Sequence, residues 1–129
     1  MNKIIRQGDV LLIPIEAITR KNFRTKEAFD NAKSLLSADL SQKTDNILAY
    51  GEATGHHHVL EGNVIVMEEV SDKAVNDRGQ IVEVKEDARL VHTSGDHPDH
   101  DTLTVPSGKY LRVVQKQRDP FAGWIRVRD

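Results

Sequence analysis

Short apolar runs, each closed by turn residues, set the limits on what this chain can fold into. Val10-Leu11-Leu12-Ile13-Pro14-Ile15 follows Gly8-Asp9, Val64-Ile65-Val66-Met67 follows Glu61-Gly62-Asn63, and Ile81-Val82-Glu83-Val84 follows Asn76-Asp77-Arg78-Gly79. Branched side chains in runs this short favour strands, while Gly, Asn, Asp and Pro supply the backbone geometry of turns. The pattern continues through Ile47 to Ala53, His56 to Leu60, Arg89 to Thr93, Thr102 to Val105, Tyr110 to Gln117 and Gly123 to Arg128. We expect a mainly β fold, a small barrel or a sandwich, with no room for a parallel α/β sheet. Glu61-Gly62-Asn63 is expected to turn His56–Leu60 back onto Val64–Val70 as a hairpin. Val10–Ile15 is expected to be covered on both faces, and Pro14, which lacks an N–H, to mark a sheet edge.

One segment breaks the strand pattern. Between Thr25 and Leu40, the apolar residues Ala28, Phe29, Ala32, Leu35, Leu36 and Leu40 recur at helical spacing, with Lys26, Glu27, Asp30, Asn31 and Lys33 opposite them. Thr25 is a suitable cap and Glu27 suits the first turn. One amphipathic helix over about 25–40 is expected, inserted after the first strand and closing the core.

The 129 residues suffice for one β-rich domain, 1–129, and not for a second ordinary core. Net charge is -2, with Lys and Arg dispersed, so no nucleic-acid partner is expected. The N-terminus lacks the apolar run of a signal peptide, and no stretch nears the ~20 apolar residues of a membrane span, so the expected location is the cytoplasm. With no cysteine, thiol chemistry and thiolate metal sites are excluded, and any transition-metal site has to use His and carboxylate.

The six histidines fall in two stretches, 56–58 and 92–100, the second interleaved with Asp96, Asp99 and Asp101. In a strand, His56 and His58 share a face about 6.5–7 Å apart, near enough for two imidazoles to reach one ion. His92 from a second strand is the expected third ligand, and His97 the fourth, with His100, Asp96 and Glu61 as weaker candidates. Three protein nitrogens leave open positions on an ion, as a catalytic site requires. Zn²⁺, Fe²⁺, Mn²⁺ and Ni²⁺ all suit such donors. Glu61 is also a weak candidate for general base.

Two resemblances extend this reading. Gly55-His56-His57-His58-Val59-Leu60-Glu61-Gly62 with Pro106-Ser107-Gly108 resembles the two metal-binding motifs of cupins; this implies a cupin-like barrel, with His92 or His97 in place of the histidine that follows the second motif in cupins. Arg6-Gln7-Gly8-Asp9-Val10, Gly51-Glu52-Ala53-Thr54-Gly55-His56-x-His58, Leu90-Val91-His92 and Pro106-x-Gly108-x-Tyr110 together are similar to a family of small uncharacterised proteins of bacteria and their phages. The expected function is binding of a divalent metal ion, extended to metal-dependent hydrolysis of a small substrate. The competing expectation is a non-enzymatic bacterial or phage module that recognises a protein or a small anionic ligand. A homo-oligomer is compatible with both.

Overall fold

The computed structural model describes residues 2–51, 55–94, 97–98 and 102–115, with Ser94 and 97–98 described by backbone alone. Eleven strands appear among them: β1 Ile5–Gln7, β2 Val10–Pro14, β3 Leu40–Gln42, β4 Ile47–Tyr50, β5 His56–Glu61, β6 Val64–Glu69, β7 Gln80–Val84, β8 Ala88–Ser94, β9 His97–Pro98, β10 Leu103–Val105 and β11 Gly108–Val114. They form two antiparallel sheets. One runs β1-β2-β11-β7-β6-β3 and the other β10-β8-β5-β4, with β9 paired to β8. Both sheets have open edges, so the architecture is a sandwich, not a closed barrel. The expected strand from Gly123 to Arg128 lies outside the described residues.

Leu12, Leu48, Leu60, Val66, Val82, Leu90, Val105 and Tyr110 meet between the sheets, and alternation along each strand puts the neighbouring residues on the outer faces. On the outer face of the six-stranded sheet, a second core forms from Leu11, Ile13, Leu111 and Val113 beneath Phe23 and Ala32. The helix α1, Lys26–Leu35, covers that face; the Thr25 hydroxyl caps it by accepting from the Ala28 amide at 3.0 Å. The helix is shorter than the expected span, and Leu40 belongs to β3 instead.

Strand β2 is buried on both faces, as its unbroken apolar run implies. It lies inside the sheet, between β1 and β11, and not at an edge. Pro14 is tolerated there because β1 extends only to the pair Ile5↔Leu12, so the ladder on that side ends before the proline. β1, the true edge strand, was not expected; its three residues include Arg6 and Gln7, too few and too polar to show a period.

The hairpin expected at Glu61-Gly62-Asn63 does not form. β5 pairs with β4 and β8, whereas β6 pairs with β7 and β3, so the link carries the chain from one sheet to the other. Gly62 takes a positive φ of 135°, and a Cβ there would lie 3.1 Å from that of Ala88. Two more links, 85–87 and 106–107, also cross between the sheets at this end, closing it. The opposite end holds the Gly8-Asp9 turn, the end of β4, the 70–79 link, and the starts of β5 and β7. No helix among the described residues is long and apolar enough to cross a membrane.

Candidate functional site

At the open end, β5 and β8 run side by side with His58 directly opposite His92 and His56 opposite Ser94. Directly opposed residues of an antiparallel pair project to the same face, with Cβ atoms about 4.5–5.5 Å apart. Leu60 and Leu90, two residues further along each strand, belong to the core between the sheets, so His56, His58 and His92 take its face. His58 and His92 are buried, 4% and 7% exposed, and their ring centroids are 4.3 Å apart. His56 and His92 have centroids 5.5 Å apart. Interplanar angles are 36° and 42° for the two contacts.

A residue from the facing sheet completes this arrangement. Gln7, at the end of β1, is buried and donates its Nε2–H to the Leu90 carbonyl at 2.9 Å, while its Oε1 lies 2.9 Å from His58 Nδ1. The first bond orients the amide; the oxygen it turns toward His58 is an acceptor only. His58 Nδ1 therefore carries the proton in the neutral ring, and Nε2 carries the lone pair. Sequence reasoning missed Gln7. The signal that could have found it is its alternation with Ile5 ahead of the Gly8 turn, which puts both on the inner face.

Two glycines let backbone approach these rings. Gly8 has φ 57°, and a Cβ there would lie 3.4 Å from His58 Cε1. A Cβ at Gly51 would lie 3.0 Å from that of His56 and 3.3 Å from His92 Nε2. A larger residue at 51 would fill the space beside His92 Nε2.

The remaining expected site residues are placed differently. His57 points to the outer face, with its Nε2 3.1 Å from the Thr93 hydroxyl and its ring 6.5 Å from that of half-exposed Tyr50. Glu61, at the far end of β5, also has outward parity and pairs with Arg89 at 2.6 Å, so the fold does not bring it to the three histidines. β9 sets the backbone of His97 opposite Ser94, in the cross-strand row that begins with His56. Asp96 and His100 lie outside the described residues. Among the described residues, no group of three or more His, Asp or Glu side chains is already disposed to hold an ion.

A different polar network lies toward the β3–β4 side. Glu68 accepts from Arg78 Nη1 and from Gln80 Nε2, both at 2.8 Å, with Lys43 Nζ at 3.7 Å. Burial works to raise its pKa, but these hydrogen bonds and positive charges outweigh it and hold the carboxyl below its ordinary value. Arg112, 3% exposed, donates to the carbonyls of Val75, Asn76 and Arg78. Burial lowers its pKa to about 10, against the raising effect of Glu68 and Asp77, and it stays charged at neutral pH.

A family model matches the chain over residues 6–116, and its description is a domain of unknown function. This agrees with the expected membership of an uncharacterised family. No curated protein and no solved structure matches the chain.

Proposed function

The chain belongs to the DUF8820 family, and from its own side chains we propose that it binds a divalent metal ion through His56, His58 and His92. The observation that carries this reading is the register of β5 and β8, with His58 opposite His92 and His56 one row further on the same face. Gln7 supports it: a hydrogen bond to Nδ1 fixes tautomer and ring direction, as partners of metal-ligating histidines commonly do. Gly51 supports it too, by leaving room beside His92 Nε2. The rings would have to turn about their side-chain torsions to share an ion. His97 is the proposed fourth ligand, on the register of β9, with Asp96 and His100 as alternatives on sequence grounds. Zn²⁺, Fe²⁺, Mn²⁺ and Ni²⁺ all suit these donors. A bound ion would supply Lewis acidity for hydrolysis of a small substrate. Action in the cytoplasm is part of the same proposal.

A second reading, a non-enzymatic module that recognises a protein or a small anionic ligand, draws on the outer face, where half-exposed Tyr50 lies beside His57 and Thr93. Elemental analysis separates the two. The untagged protein, purified without nickel, is expected to carry one equivalent of metal, and His58→Ala and His92→Ala are each expected to lose it while His57→Ala keeps it. A metal-free protein that neither gains metal on addition nor changes stability with it would leave the second reading.

A further inference from the structure

The sandwich has a second feature that the histidines do not explain. β1 is the last strand of one sheet and β10 the last of the other, and both lie on the same side of the molecule. Among the described residues, β1 ladders only with β2 and β10 only with β8, so both strands turn an edge toward one seam, which the side chains of Asn2 and Gln7 span at its two ends. A groove of about 500 Å³ runs between them, lined by Lys3, Ile4, Ile5, Arg6, Leu103 and Thr104 among others. Its floor is apolar, because Ile5 and Leu103 are the partly exposed margin of the core between the sheets. Its rim has one sign of charge: Lys3 and Arg6 are exposed, no acidic side chain lines the groove among the described residues, and neither cation has an ion pair among them.

The geometry points to an interaction surface for an extended acidic peptide from a partner protein, added as a strand in the seam between β1 and β10. Main-chain hydrogen bonds to an edge strand would give the affinity, and alternate side chains would meet the apolar floor, as in other cases of strand addition. Charge selects the occupant. A second copy of this chain would bring Lys3 and Arg6 against the same cations, whereas acidic residues in the peptide would pair with both. Lys3 and Arg6 are three residues apart, about 10 Å along an extended chain, so acidic residues three apart in the peptide suit the spacing.

The test uses the full chain and a capped seven-residue peptide of valine and threonine with aspartate at its third and sixth positions. Nuclear magnetic resonance should show amide shifts confined to 3–7 and 103–105 on titration. The double variant Lys3→Glu/Arg6→Glu should bind at least about tenfold more weakly, and the same peptide with lysines in place of the aspartates should bind that variant better than the native chain. A peptide with proline at its centre should not bind, since it lacks the ladder donor. Both substitutions are at exposed positions, and an unchanged thermal melt would establish that the variant is folded. Shifts elsewhere, or equal affinity for native chain and double variant, would overturn the proposal. So would a concentration-dependent dimer that the peptide displaces, because the occupant would then be a second copy.

Discussion

The two lateral seams of the sandwich are closed by different means. At the β3–β4 side the chain itself crosses from one sheet to the other. Lys43 N donates to the Val66 carbonyl at 2.8 Å, Leu60 N to the Asn46 carbonyl at 3.0 Å, and Ile47 N to Asp45 Oδ1 at 3.0 Å. Asn76 then acts as a substitute strand for the edge of β4, accepting from Tyr50 N and donating to Tyr50 O, both at 2.8 Å. Arg112 ties the same 75–78 turn to the centre of the other sheet. At the β1–β10 side the joining strands are far apart in sequence. The described bridges there are the Gln7 amide, which meets Leu90 and His58, and Asn2 Nδ2, which donates to the Ser107 carbonyl at 2.9 Å. Where the chain is continuous, closure costs little extra entropy and backbone groups can do the work; where it is not, the polar bridges among the described residues come from side chains. The proposed metal site and the proposed peptide groove both border this second seam.

The largest expected effect comes from Arg112→Ala. It leaves the part-buried carbonyls of Val75, Asn76 and Arg78 without their donor; hydrogen bonds to a charged group contribute about 1.5–3 kcal/mol each, so a combined loss of about 3–5 kcal/mol is expected. Urea unfolding should show it, and a loss under about 1 kcal/mol would mean that the 75–78 turn does not depend on the guanidinium.

Gln7→Ala probes the other seam. The Leu90 carbonyl and His58 Nδ1 both lose a partner, so a loss of about 1–3 kcal/mol is expected. On the proposed function, metal affinity should fall by about 10- to 100-fold as well. If stability drops while affinity holds, Gln7 fastens the seam and does not position the ring.

Glu68→Gln is expected to have the smallest and most pH-dependent effect. The folded pKa of Glu68 lies below its ordinary value of 4.5. Its charge therefore contributes stability in full above that value, and the contribution fades as pH falls from 4.5 through the lowered folded pKa. The native chain and the variant should differ by a constant amount near neutrality and converge in acid. The carboxylate of Asp45, lowered by its hydrogen bonds to Lys43 and Ile47 against the opposing effect of burial, acts in the same direction, so some acid dependence should persist in the variant. Two parallel curves down to the lowest pH would show that Glu68 does not titrate within this network.

Much of this was legible in the amino-acid sequence, and the reasons are local. Alternation and turn residues mark β4 to β8, β10 and β11, and the 3.6-residue period marks α1, because these periodicities follow from backbone geometry alone. The common face of His56 and His58 follows from the same alternation. What the sequence did not decide was pairing. Glu61-Gly62-Asn63 has the composition of a hairpin turn, yet β5 and β6 part to different sheets, because the partner of a strand is chosen by which apolar faces can be buried together. The same choice put Glu61 on the outer face beside Arg89, and Gln7 across from His58, 51 residues away. Composition and spacing could establish strands, a helix and two groups of histidines. Only the pairing of β5 with β8 could bring His56, His58 and His92 onto one face, and only the packing of one sheet on the other could bring Gln7 to them, since contacts between distant segments depend on the whole core and not on any local period.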